Sequence, residues 1–272
     1  MRGSRGKLLT ACLIGGYAFL YTPIALLVAF SFNDSRLLTV WSGFSWRWYI
    51  ALWHDAPLVS AALLSLRIAA LSATIATLIG TAAGYALARF GRFRGRGAFA
   101  ATLSVPLVLP DVIVGLSLLL LFVVLQRLTG WPAQRGASTI AIAHASFALA
   151  YVAVVVQARL ADAGTELEEA AMDLGASPWR AFLTITLPLM APALVSGWLL
   201  AFTLSLDDVV VASFVSGPGA STLPMVLFSA MRLGITPEMN ALATVVLAVV
   251  LLALLGAWLA RRLPVAARTP LR

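Results

Sequence analysis

The chain has 272 residues, of which 61% are hydrophobic and only 11% charged, and it carries a formal net charge of +8. Its mean hydropathy of +0.96 lies far above that of soluble globular domains, so an ordinary water-soluble fold is excluded. The single cysteine, Cys12, excludes a disulfide framework or a cysteine metal cluster.

A hydrocarbon core about 30 Å thick takes roughly 20 apolar residues per helix. The candidate runs, in chain order, are Leu8–Phe32, Leu58–Ala88, Phe99–Leu125, Thr139–Val156, Pro192–Val215 and Ala241–Leu259. They are continuous and rich in Leu, Ala and Val, whereas a barrel strand alternates over about ten residues. The expected fold class is an all-α integral membrane protein with about six transmembrane helices.

Near the N-terminus, Leu9-Thr10-Ala11-Cys12 imitates a lipoprotein cleavage box. Too few apolar residues precede it, and the run continues too far for a cleaved signal, so the first helix reads as an uncleaved anchor. The next segment, 33–57, carries Trp41, Trp46, Trp48, Tyr49 and Trp53. Such residues favour the headgroup level; the segment reads as an interfacial lead into the second helix, with a docking surface for a solute-binding protein as the alternative.

Between the second and third runs lies Arg89-Phe90-Gly91-Arg92-Phe93-Arg94-Gly95-Arg96. Interleaved arginines and aromatics also occur where single-stranded nucleic acid binds, but between two spanning runs they read as a topology signal, and no nucleic-acid partner is expected. Positive residues concentrate on one set of ends and loops: Arg2, Arg5, Lys7, Arg89, Arg92, Arg94, Arg96, Arg159, Arg180, Arg261, Arg262, Arg268 and Arg272. The positive-inside rule then puts both termini and the 158–190 loop in the cytoplasm.

The third run holds Asp111 after Pro106 and Pro110, where proline bends a helix and frees carbonyls. His144 in the fourth run and His54 have no companions at metal-ligand spacing, and each reads as a packing or interfacial residue. The fifth run contains Asp207-Asp208, roughly 22 to 24 Å along from Pro192 at about 1.5 Å per residue. A charge at a helix centre costs about 2.5 to 3.5 kcal/mol on insertion scales, so this pair does not face lipid. Asp111, Asp207 and Asp208 are the candidate lining of a solute path. The structural alternative is a pair with an arginine such as Arg67, or a cap on a broken helix. Carboxylates in a dry wall suit an amine and repel an oxyanion. Beyond the pair, Leu223–Leu233 reads as a short helix near the outer mouth.

The loop from Leu160 to Thr184 reads as helix, turn, helix. Leu167, Ala170, Ala171 and Leu174 share one side of the first helix, Gly175 ends it with a left-handed cap, and Ser177-Pro178 opens the second. Its spacing is Glu169-Ala170-Ala171, three residues, Gly175, nine residues, Ile185, one residue, then Leu187-Pro188. That spacing resembles the EAA loop of permease subunits in type I ABC importers. Further segments, Pro110-Asp111-Val112, Leu204-Ser205-Leu206-Asp207-Asp208 and Phe214-Val215-Ser216-Gly217-Pro218-Gly219, are similar to the polyamine branch of these permeases, the putrescine importers in particular.

The resemblance implies a first helix and outer segment at 1–57, a permease domain of the MetI-like type at 58–260 with its EAA loop at about 158–190, and a cytoplasmic tail at 261–272. It implies an inner-membrane location and four kinds of partner: a second homologous permease subunit, a pair of ATPase subunits, a periplasmic solute-binding protein and the polyamine. Glu169, Ala170, Ala171 and Gly175 carry over as ATPase-coupling residues. The chain has no P-loop lysine, its only lysine being Lys7, so it is expected to be no enzyme and to hold no cofactor or metal, ATP being bound by the partner. Alternatives are a spermidine/putrescine permease of the same family or a secondary carrier for organic cations. An intramembrane aspartyl protease is set aside, for no Gly-x-Gly-Asp segment is present.

Overall fold

A computed structural model describes residues 2–37, 40–233 and 237–262. Apart from one isolated antiparallel bridge between Asn33 and Phe44, regular structure among these residues is helical: α1 (Arg2–Ser31), α2 (Arg47–His54), α3 (Ala56–Arg89), α4 (Arg96–Val108), α5 (Asp111–Thr129), α6 (Ala137–Ala163), α7 (Glu166–Asp173), α8 (Pro178–Ala181), a π-helical turn at Phe182–Thr186, α9 (Leu187–Asp207), α10 (Val210–Val215), α11 (Leu223–Leu233) and α12 (Pro237–Arg262). Among the described residues, five stretches are long and apolar enough to cross a membrane: Thr10–Ser31, Ala56–Arg89, Asp111–Thr129, Ala137–Ala163 and Pro178–Asp207. The expected sixth run, 241–259, falls inside α12, of which the stretch Pro237–Leu252 is apolar among the residues whose side chains are described. Of the expected tail at 261–272, residues 263–272 lie outside the described residues.

Two runs differ from the sequence expectation. The stretch 99–125 is two helices, because Pro110 drives Leu109 out of the helical region to ψ 140°, and α5 restarts at Asp111. The stretch 192–215 begins earlier, at Leu187, and stops at Asp207; Asp208 is extended at ψ 128° before the short α10.

The described residues form two compact units, one drawn from 2–59 and 230–262 and the other 60–229. In the first, α1 packs on α12, and α12 on α2. Its segment after α1 is compactly folded. Buried Asn33 donates from Nδ2 to the Val40 carbonyl at 2.7 Å and accepts from the Ser42 amide at 2.9 Å, while Trp48 Nε1 donates to the Asn33 carbonyl at 2.7 Å. Trp41, Trp46 and Trp53 stay exposed around it, as residues of a headgroup layer do.

The second unit is built around α6, which is apolar on every side and therefore central: 61% of its spanning window is buried, against 0% for α1. Small residues let α3 approach it. Ser72 Oγ reaches the Ala141 carbonyl at 3.1 Å. A Cβ on Gly80 would lie 2.7 Å from the Leu149 carbonyl oxygen, and one on Gly84 would lie 2.6 Å from that of Ala153. The offset between partners stays constant, so α3 and α6 run parallel, with Gly80 and Gly84 as a small-xxx-small seam. On the remaining sides, Val152, Val156, Met190 and Ala201 form a shared core between α6 and α9.

The seam makes a comparison possible. Gly84→Ala forces backbone against backbone, a misfit of about 1–3 kcal/mol, and should lower the melting temperature in detergent. Gly97→Ala, which meets nothing within 4 Å, should leave it unchanged or raise it, alanine being favoured over glycine in a helix by about 1 kcal/mol.

Candidate functional site

Asp111, Asp207 and Asp208 line one cavity of about 400 Å³, together with Pro106, Val114, Phe147, Tyr151, Leu204, Val209 and Val210. The two helix breaks bring them together. Asp111 stands in the first turn of α5, Asp207 ends α9, and Asp208 precedes α10. Helices α5 and α10 pack closely, for a Cβ on Gly115 would lie 2.7 Å from the Phe214 ring. Each restarted helix thus begins beside an aspartate, where its unpaired amides favour negative charge.

The two adjacent acids are not equivalent. Asp208 Oδ1 accepts from the Val211 amide at 3.2 Å, and Oδ2 accepts from the Ala212 amide at 2.7 Å and from His144 Nε2 at 3.1 Å. With three donors and a side chain only 8% exposed, it is the cap of a broken helix, the structural alternative raised above. Asp207 is exposed in the cavity. Arg67 is exposed on α3, and among the described residues no ion pair joins it to either aspartate.

His144, read from sequence as a packing residue, is fully buried and shares a hydrogen with Ser205 Oγ at 2.6 Å through Nδ1. The Ser205-x-x-Asp208 spacing puts both partners one turn apart, a signal that becomes legible only once α6 is known to lie alongside. Five residues earlier on α6, Thr139 Oγ1 donates to the Val215 carbonyl at 2.7 Å, so α6 holds both ends of α10. A larger cavity, about 750 Å³, lies between α3 and the α8–α9 segment, lined by Thr77, Tyr85, Trp179 and Phe182 among others. No charged side chain lines it, so it offers no counter-charge to an ammonium.

The hairpin after α6 forms as its sequence predicts. Gly175 sits at φ +89°; its amide bonds the Met172 carbonyl at 2.9 Å and that of Ala176 bonds the Ala171 carbonyl at 3.0 Å, a Schellman closure. Ser177 caps α8, accepting from the Arg180 amide at 3.3 Å, with Pro178 at its start. On α7, Leu167, Ala170 and Leu174 face away from the bundle, Leu174 being 90% exposed. Glu169 differs from its neighbours: with Glu168 and Met172 it lines a pocket of about 260 Å³ against Tyr85, Arg89 and Phe182.

Arg89, read from sequence only as a topology signal, clamps this hairpin. Its Nε and Nη2 reach the Glu168 carboxylate at 3.1 and 3.0 Å, Nη1 donates to the Leu160 carbonyl at 3.1 Å, and Nη2 also donates to the Gly164 carbonyl. Both side chains are nearly buried, at 10% and 14% exposure.

Apolar spanning helices, half-helices broken at an acidic cavity, and an amphipathic hairpin define an integral membrane transport protein. The fold is similar to that of a chain in the crystal structure of a bacterial ABC transporter involved in the import of the acidic polysaccharide alginate, with TM-score 0.69 at 16% identity over 97% of this chain and 98% of that one. Residues 76–266 match the family described as binding-protein-dependent transport system inner membrane component, and the chain belongs to it. It is 59% identical to the putrescine transport system permease protein PotI of Escherichia coli (strain K12), over 88% of this chain and 85% of that one. It is 45% identical to the spermidine/putrescine transport system permease protein PotC of Haemophilus influenzae, over 90% and 92%.

Removing one partner of a nearly buried ion pair leaves the other charge uncompensated, at a cost of about 3–5 kcal/mol. Arg89→Met should therefore release α7 from the bundle, which limited proteolysis of the inserted protein would register as faster cutting near Gly164 and Gly175. An unchanged cleavage pattern would mean that the clamp does not hold the hairpin.

Proposed function

We propose that this chain is one permease half of an ATP-driven importer that carries a polyamine, with putrescine as the first substrate, across the bacterial inner membrane. The observation that carries the reading is an acidic cavity in a chain 59% identical to a putrescine permease. An alkyl diamine is cationic at both ends and apolar between them, and a wall alternating Asp111 and Asp207 with Phe147, Tyr151 and Leu204 matches that pattern. A carboxylate and an ammonium about 4 Å apart attract by about 4 kcal/mol at an effective dielectric of 20, against about 1 in water, so a half-dry cavity makes the charges count.

The arginine distribution supports an orientation with both termini and the α7–α8 hairpin in the cytoplasm. There the exposed face of Leu167, Ala170 and Leu174 receives an ATPase subunit, and Glu169, Ala170, Ala171 and Gly175 serve the coupling. A second, homologous permease completes the path. A solute-binding protein delivers the polyamine from the periplasm; ATP closes the ATPase pair, the hairpin moves, and the cavity opens outward and then inward. ATP chemistry stays on the partner, and this chain holds no cofactor of its own.

The likeness to PotC favours spermidine/putrescine transport as the second reading, and competition by a panel of diamines and longer polyamines against labelled putrescine separates the two. Co-purification of an ATPase separates both from a lone secondary carrier.

Two outcomes are expected in proteoliposomes of the assembled importer. Asp207→Asn with Asp111→Asn should reduce putrescine uptake about ten- to a hundredfold, the scale of losing a hydrogen bond to a charged group, with assembly retained; parental uptake would move both residues off the path. Gly175→Pro, which cannot adopt the positive φ of the turn, should abolish stimulation of ATP hydrolysis by loaded binding protein while the subunit remains inserted. Retained stimulation would remove the hairpin from the coupling.

A further inference from the structure

The wall behind the acid pair is itself organised. Helix α9 ends at Asp207 without a proline or glycine to stop it, and Asp208 turns back to cap α10. What holds that turn from outside is His144 of α6, fully buried, between Ser205 and Asp208. A carboxylate oxygen only accepts, so His144 Nε2 carries the hydrogen that meets Asp208 Oδ2, and Nδ1 is left to share one with Ser205. The ring therefore ties the last turn of α9 to the first residue beyond it.

We propose that His144 is a positioning residue for transport: by holding Asp208 on the α10 cap it leaves Asp207 as the carboxylate of the pair that meets the polyamine ammonium. The proposal rests on the polyamine path above and adds to it a residue that does not line the cavity and touches no substrate. It also assigns the two neighbouring acids separate work. Asp208 accepts from three donors and is nearly buried, whereas Asp207 is exposed in the cavity.

Two amide substitutions divide the ring's functions. The nitrogen of Gln at 144 reaches the Nε2 position and keeps the bond to Asp208. That of Asn reaches only the Nδ1 position and keeps the bond to Ser205. The complete importer, with its ATPase pair, partner permease and binding protein, is reconstituted with His144→Asn, His144→Gln or Asp207→Asn, and putrescine transported per ATP hydrolysed is measured. His144→Asn should lower that ratio about tenfold while hydrolysis stimulated by binding protein continues, and His144→Gln should stay within about threefold of the parent, the differences expected for losing or keeping one hydrogen bond to a charged group.

A parental ratio in His144→Asn overturns the proposal. So does an equal fall in both amide variants, or loss of the assembled complex in both, either of which makes His144 a plain packing residue. The Asp207→Asn arm separates the two levels: a parental ratio there overturns the polyamine path itself, whereas a lowered ratio beside a parental His144→Asn overturns only the positioning role.

Discussion

A dry bilayer core allows no unpaired backbone, and this requirement governs the second unit. Each break in a spanning helix exposes amides and carbonyls that lipid cannot satisfy, at several kcal/mol for each group left unpaired. The break at 208 persists because both ends of α10 are met by side chains: Asp208 takes the amides of Val211 and Ala212, and Thr139 gives its hydroxyl hydrogen to the Val215 carbonyl. Burying the Asp208 carboxylate carries an effective penalty of several kcal/mol. Three hydrogen bonds to a charged group, each about 1.5–3 kcal/mol, are of the size needed to offset it. Take away the donors and the polar turn has no place in the membrane.

Those donors stand where they do because α6 is central. Its His144 and Thr139 can serve α10 only if α6 sits against it, and α6 is fixed from its other side by the glycine seam of α3 and by the core shared with α9. Close approach of the α3 and α6 backbones through Gly80 and Gly84 is thus part of what holds α6 in place. Small residues on one helix and polar caps on another belong to the same design. The seam supplies dispersion contact without a hydrophobic driving force, as helix association in lipid requires, and the caps supply the hydrogen bonds that the seam cannot.

The local features were readable from the residues alone. Long apolar runs, the Schellman turn at Gly175 and the Ser177-Pro178 start depend on neighbours within a few positions, and the structure has them as expected. The break before Asp111 was half-legible, since Pro110 was visible as a bend but not as a full stop. That at Asp208 was legible only as an alternative, a cap on a broken helix, because the side chain that fixes it lies 64 residues away at His144. Arg89 shows the same limit. A charge near a helix end reads as topology, and its contact with Glu168, 79 residues on, depends on how α3 and α7 meet. In the cavity, the three acids could be named from their cost in lipid, but which of them was free depended on the caps.

The hairpin and the acid pair are joined by a single rod. From Pro178 to Asp207 the backbone stays helical for 30 residues, passing through the π turn at Phe182–Thr186 without a break, so one end lies beside the Gly175 turn and the other at the cavity. A helix transmits axial displacement with little loss, because its hydrogen bonds run along its length. The π turn adds one residue to the register, a feature met mostly as a single turn inside α-helices. On the reading proposed above, a push on the hairpin therefore needs no relay of side chains to reach Asp207. It arrives at the end of α9, the joint at 207–208, where the chain leaves the helix. There His144 acts together with the two amides from which Asp208 accepts, and the three donors keep Asp208 on the cap while Asp207 stays in the cavity.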